Sequence, residues 1–182
     1  MKNLFLLISI FSLSLSFAQT GNKNTTTFGF KGGVNKSTIN GTELDGKKTG
    51  YDGFELYASF FADTELNQRW NFENELLFSY TDDYHFIEIP IHVKYKFLKS
   101  WNVLIGPKLD FIVDDQNASS ESNYRYRNFG ISGEIGTQYT ITRRFFTEIR
   151  FSKGITAQVD NFALEIYNGK RNTIRLGVGF KF

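Results

Sequence analysis

The chain has 182 residues, a formal net charge of +2, 41% hydrophobic residues and no cysteine. That length suits one domain, and the cysteine count excludes disulfides, a thiolate metal site, a cysteine nucleophile and a lipidated cysteine. With 21 Lys and Arg against 19 Asp and Glu, nothing in the charge points to a nucleic-acid partner.

Met1-Lys2-Asn3 is a short basic region, followed by an apolar run from Leu4 that continues as alternating Ser and Leu to Phe17. Ser16-Phe17-Ala18 places small residues where a signal peptidase reads them. Residues 1–18 are therefore predicted to be a signal peptide cleaved after Ala18, and not a helical anchor, for which the run is too short. Removing 18 residues from 182 leaves 164, Gln19 to Phe182, as one barrel domain with net charge +1.

Beyond Ala18 the dominant pattern is period two. Stretches 27–36, 53–63, 69–80, 85–97, 101–113, 129–140, 145–154 and 171–182 each alternate apolar with polar or small residues. Phe54, Leu56, Ala58 and Phe60 thus alternate with Glu55, Tyr57, Ser59 and Phe61, and Ile174, Leu176, Val178 and Phe180 with Thr173, Arg175, Gly177 and Gly179. Aromatic content of 17%, with 20 Phe and 9 Tyr, favours strands over helices. Each stretch is near the ~9–11 residues that a tilted strand needs to cross a bilayer. The mean hydropathy of −0.30 is that of a soluble chain, but alternation hides the apolar face of a barrel strand from any window average.

The connections differ in length. Residues 64–68, 98–100 and 141–144 are short; 37–50, 114–128 and 155–170 are long and polar; 81–84 is a short exception. Short turns on one side and long loops on the other are the outer-membrane arrangement, with the long loops outside. In the last long connection Phe162, Leu164 and Ile166 alternate before Asn168-Gly169, which predicts a small hairpin extension.

Volume decides which face is apolar. Roughly three dozen apolar side chains, many of them aromatic, share one parity, and the interior of an eight-stranded barrel is too narrow for them. They are assigned to lipid. The opposite class combines Gly29, Gly33, Gly106, Gly136, Gly177 and Gly179 with long charged groups. Its acids are Glu55, Glu73, Glu75, Glu88, Asp110, Glu134 and Glu148; its bases are Lys31, Lys94, Lys96, Lys108, Arg150, Arg175 and Lys181. Seven of each sign predict a lumen ion-pair network, because unpaired charge there is costly. Trp70, Phe72, Phe97, Trp101, Tyr139, Phe145, Phe180 and Phe182 fall near the short-turn ends, and Tyr51, Tyr80, Phe111, Phe129 and Phe151 near the long-loop ends. Rings so placed suit the two lipid–water boundaries. The fold class is all-β: an eight-stranded antiparallel up-and-down transmembrane β-barrel.

Three stretches resemble the PorT-like outer-membrane β-barrel family of Bacteroidetes-type bacteria. They are Phe86–Phe97 (FIEIPIHVKYKF) with the Ile105-Gly106-Pro107 step, Phe129–Gly136 (FGISGEIG), and the closing Leu176–Phe182 (LGVGFKF). The resemblance implies an exported outer-membrane barrel. The founding member is linked to type IX secretion; most members have no assigned activity, and fold likeness does not transfer that role. The terminal Phe182 is similar to the C-terminal signal read by the outer-membrane assembly machinery.

Chemistry-bearing residues are few. His92 points inward among Glu88, Lys94 and Lys96, and reads as a packed network residue rather than a general base. His85 lies by Asp82, Asp83 and Tyr84 at an outer loop, with nothing to fix a nucleophile. Asp82, Asp83, Asp114, Asp115 and Glu121 lack a calcium-loop pattern, and no cofactor or metal is expected. Tyr124-Arg125-Tyr126-Arg127 is sharper: continued parity turns Arg125 and Arg127 outward, where guanidinium forks suit lipopolysaccharide phosphates. Three functions remain open: a non-catalytic barrel presenting loops for envelope, adhesion or secretion-related interactions; a narrow transport channel; and an outer-membrane hydrolase or acyltransferase using His85 or His92. The expected partners are outer-membrane lipid and lipopolysaccharide, the assembly machinery, and envelope or secretion-complex proteins.

Overall fold

A computed structural model describes residues 25–43, 45–80, 84–115, 129–157, 159–161 and 166–182. Among them are nine strands and no helix: β1 (Thr26–Thr42), β2 (Lys48–Glu65), β3 (Trp70–Tyr80), β4 (Tyr84–Leu98), β5 (Trp101–Asp115), β6 (Phe129–Thr140), β7 (Phe145–Gly154), β8 (Val159–Asn161) and β9 (Ile166–Lys181). β1 to β7 and β9 pair in order, all antiparallel, and β1 pairs with β9 to close an eight-stranded barrel. Closure leaves the barrel wall no free edge. Following ladder partners once around, Thr26 leads through Thr64, Phe72, Val93, Ile105, Ile135, Phe151 and Ile174 to Lys36, ten residues further along β1. Eight strands with that stagger tilt by about 40° and give a Cα radius of about 8 Å.

Both chain ends of the barrel and the tight turns lie on one side. The β2–β3 turn is closed by Asn67, whose Oδ1 accepts the N–H groups of Arg69 (2.9 Å) and Trp70 (3.0 Å). Thr142 Oγ1 plays the same part in the β6–β7 turn, accepting from Arg144 (3.2 Å) and Phe145 (3.0 Å). Short polar side chains that bond the backbone two and three residues on fix such turns without glycine.

Two long connections differ from the sequence expectation. Residues 37–50 are mostly ladder: β1 and β2 stay in register from Thr26↔Thr64 to Thr42↔Lys48. The turn holds Asp45, whose carboxylate accepts from Lys47 N (3.0 Å) and Lys47 Nζ (2.6 Å), and these bonds keep its pKa below the ordinary value. The extension was hidden because its outward positions Thr38, Asn40 and Thr42 are polar while Ser37 and Ile39 are buried inward, so no apolar outer band marks these residues as strand. In the last connection, β8 pairs with the start of β9. The connection between them, 162–165, lies outside the described residues; Asn168-Gly169 does not turn the chain back, since Asn168 lies inside β9 with φ 53°. Phe162 and Leu164 lie outside the described residues as well.

The wall separates two environments. Outward residues include Phe54 (76% exposed), Leu56 (66%) and Val178 (62%), an apolar surface that only lipid can cover. Outward rings pair across strands near both rims: Trp70–Tyr95 at 4.7 Å and Trp101–Tyr139 at 4.9 Å by the short turns, and Phe111–Phe129 at 5.1 Å toward the long loops. The ladder is interrupted around two prolines. Pro90 and Pro107 lie within adjacent strands and lack N–H groups. The β3–β4 register skips from Asn74↔Ile91 to Leu77↔Glu88, and the β4–β5 register skips from Pro90↔Lys108 to Val93↔Ile105.

Candidate functional site

The inward parity class converges on a lumen filled by charged side chains. In its upper half, toward the long loops, Glu88 of β4 is the hub. It accepts from Lys108 Nζ (2.7 Å), Arg175 Nη2 (2.8 Å), Arg171 Nη1 (3.0 Å) and Ser79 Oγ (2.8 Å). Arg171 also reaches Glu55 (2.5 Å), Lys108 reaches Asp110 (3.1 Å), and Ser132 Oγ donates to Asp110 (2.7 Å). Arg175 Nε donates to Asn35 Oδ1 (2.7 Å), and Ser152 and Thr173 share a hydrogen bond.

In the lower half Lys31 contacts Glu73 (2.6 Å), Glu75 (3.0 Å) and Glu148 (3.2 Å). Arg150 is held by Glu75 (2.9 Å), Glu134 (3.0 Å) and Glu148 (2.6 Å). Lys94 joins Asp63 (2.8 Å) to Glu73 (2.9 Å), and Arg175 approaches Glu134 at 3.7 Å to link the two halves. His92 lies between carboxylates, with Nε2 at 3.0 Å from Glu134 and Nδ1 at 3.6 Å from Glu73. Glu73, Glu75 and His92 converge closely enough to be compared with a metal site, but Lys31, Lys94 and Arg150 already occupy those oxygens, and a divalent cation would meet three positive groups.

The direction of these pairs decides what the lumen can do. β4 and β9 are four strands apart either way around the barrel, as are β3 and β7. Arg171 and Arg175 on β9 therefore reach Glu88 across the full diameter, and Arg150 on β7 reaches Glu75 in the same way. A radius of about 8 Å is what two long side chains meeting at the axis can span. Rings fill what remains. Phe61 and Phe146 meet edge to face at 5.7 Å, Lys31 Nζ lies 5.0 Å from the Phe61 centroid, and Arg171 Cζ lies 3.9 Å from that of Phe86. Glycine opposite makes room for them. A Cβ on Gly179 would stand 2.1 Å from Phe146 Cζ, and one on Gly177 would stand 1.8 Å from Tyr57 Oη.

Of the residues assigned to the lumen, Glu55, Glu73, Glu75, Glu88, Lys94, Lys108, Asp110, Glu134, Glu148, Arg150 and Arg175 are buried in it. Lys96 is not part of the network. It is exposed at the short-turn mouth without an ion-pair partner among the described residues, two residues beyond the buried Lys94 toward the turn. Asp63 and Arg171 are network members that the sequence reading left out. Each is the terminal residue of an alternating stretch, 53–63 or 171–182, at inward parity, Asp63 after Phe61 and Arg171 before Thr173, so the alternation already contained both. His85 faces the outer wall, stacked on Tyr80 at 4.8 Å and Phe78 at 6.1 Å. Residues 1–18, Asp82, Asp83, Glu121, Arg125 and Arg127 lie outside the described residues, as do the side chains of Asp114 and Asp115.

A closed barrel of eight antiparallel strands, apolar outside and ionic within, defines a transmembrane β-barrel. The chain belongs to the outer membrane protein beta-barrel domain family, whose pattern it matches over residues 4–182. No protein of curated function matches its sequence. Solved structures share the fold. Ail, the attachment invasion locus protein of Yersinia pestis, is 15% identical with TM-score 0.50, covering 86% of this chain and 98% of Ail. Neisserial surface protein A is 14% identical with TM-score 0.52, covering 87% and 99%. At these identities the likeness is one of fold.

Proposed function

We propose that this protein is a non-catalytic outer-membrane barrel of PorT-like type, exported by cleavage of residues 1–18, that works through the surfaces it presents outside the membrane. The observation that carries this reading is the set of ion pairs across the diameter, which fills the lumen at two levels. A filled lumen argues against the channel reading. His92 argues against catalysis, since its ring nitrogens face Glu73 and Glu134, carboxylates that Lys31, Lys94 and Arg150 also hold. The stretches 86–97, 129–136 and 176–182 support the PorT-like assignment.

What the barrel presents is uneven in height. β1, β2 and β9 have 17, 18 and 16 residues, while β3 and β7 have 11 and 10. The β1–β2 ribbon thus stands above its neighbour: the β2–β3 register begins at Leu56↔Tyr80, and the β3-side edge of residues 48–55 has no partner strand among the described residues. An open strand edge is a site for adding a strand from a partner. Photo-crosslinkers at Lys48, Asp52 and within 114–128, in intact cells, should capture envelope or secreted proteins, while one at Val178 should not. Capture of nothing beyond lipid would refute the reading. In planar bilayers the protein should give no steady conductance; a large, stable conductance would favour the channel. Arg125 and Arg127 are proposed to hold lipopolysaccharide phosphates, so Arg125→Ala with Arg127→Ala should lower lipopolysaccharide retention on purification.

A further inference from the structure

The short-turn end of the lumen opens into a cavity of about 470 Å³ whose walls carry four lysines, Lys94, Lys96, Lys99 and Lys181. Two acids face them, Asp63 and Glu65. Asp63 is saturated: it takes Lys94 at 2.8 Å, Lys181 at 3.2 Å and the Asn71 amide at 2.9 Å, and these contacts form the cavity's floor. Lys96 and Lys99 are exposed and have no ion-pair partner among the described residues.

The surroundings add to this field. Within 62–71, 94–102, 138–146 and 179–182, the bases are Arg69, Lys94, Lys96, Lys99, Arg143, Arg144 and Lys181, and the acids are Asp63 and Glu65, seven against two. The lumen above is densely paired, so this excess does not drain inward. A concave site with low-dielectric walls and one sign of charge concentrates counter-ions. Side-chain amides of Asn71 and Asn102 line the same cavity and offer hydrogen bonds beside the ammonium groups.

We propose that this vestibule is an anion-binding site for a phosphate group, held between Lys96 and Lys99 and bonded by the neighbouring amides. Two sources share that chemistry: a soluble phosphate compound, and the headgroup of an anionic lipid in the adjoining leaflet. The site follows from the barrel's interior geometry and does not depend on which partner the long loops engage, so the two readings fail separately.

The test uses the processed protein folded in non-ionic detergent, with inorganic phosphate as the probe and two-dimensional NMR as the readout. Saturable shifts confined to the backbone of Lys96 and Lys99 and the side-chain amides of Asn71 and Asn102 are the expected result. Lys96→Gln with Lys99→Gln should weaken binding at least tenfold, while Lys153→Gln, on the opposite rim, should leave it unchanged. Shifts that do not saturate, or that persist in the double variant, would overturn the proposal. Nanodiscs identify the source. If phosphatidylglycerol discs shift the same signals and abolish the phosphate titration while phosphatidylcholine discs do not, the site takes a lipid headgroup. If phosphate still titrates in phosphatidylglycerol discs, it takes a soluble phosphate.

Discussion

Replacing Glu88 with Ala probes whether the lumen behaves as a dry, interlocked core. Glu88 accepts from Lys108, Arg171, Arg175 and Ser79, and its side chain is wholly buried. The variant leaves three cations around a cavity with one negative charge removed. Stripping one partner from a buried ion pair costs about 3–5 kcal/mol. The survivors keep partial compensation: Lys108 retains Asp110, Arg171 retains Glu55, and Arg175 retains Asn35. The lower end, about 3 kcal/mol, is therefore the expected loss. With a urea slope of about 2 kcal/mol/M, the midpoint should fall by roughly 1.5 M. Trp70 and Trp101 report the transition, because both stand on the outer wall at the short-turn rim and lose their lipid contacts on unfolding. Glu88→Gln combined with Lys108→Met, which removes one charge of each sign, should recover at least half of the loss. Added salt should change little, since enclosed pairs are poorly screened. A loss under about 1 kcal/mol for Glu88→Ala would refute the reasoning, because it is the value of exposed pairs and would mean a water-filled lumen.

Further outcomes follow from the close approaches inside the wall. Gly106→Ala should destabilise the barrel despite the small change, since its Cβ would stand 1.8 Å from the Ile91 carbonyl oxygen, where the β4–β5 ladder is already interrupted; a lower urea midpoint in vesicles checks this. Gly179→Ala should also lower the midpoint, and Phe146→Leu in the same chain should restore part of it, because the obstructing atoms belong to the Phe146 ring. Failure of that rescue would place the fault in the backbone.

The sequence by itself determined the number of barrel strands, the parity of each and the side that faces lipid. Side chains alternate with a period of two, so one residue such as Phe54 or Glu55 fixes the orientation of its whole strand. The volume of the outward rings then left only one way to close the sheet. What the sequence did not hold was which charges meet. Arg150 and Glu75 are 75 residues apart, and Arg171 and Glu88 are 83 apart. They become partners only because a stagger of ten residues brings opposite walls to the same level, and a radius of about 8 Å lets long side chains touch there. The same closure decided that Lys96, inward by parity like its neighbour Lys94, lies past the last acid and faces open water. Strand length was also a tertiary matter: residues 37–42 and 48–53 have the composition of a loop, and they become strand by pairing with each other and, for 37–42, with β9.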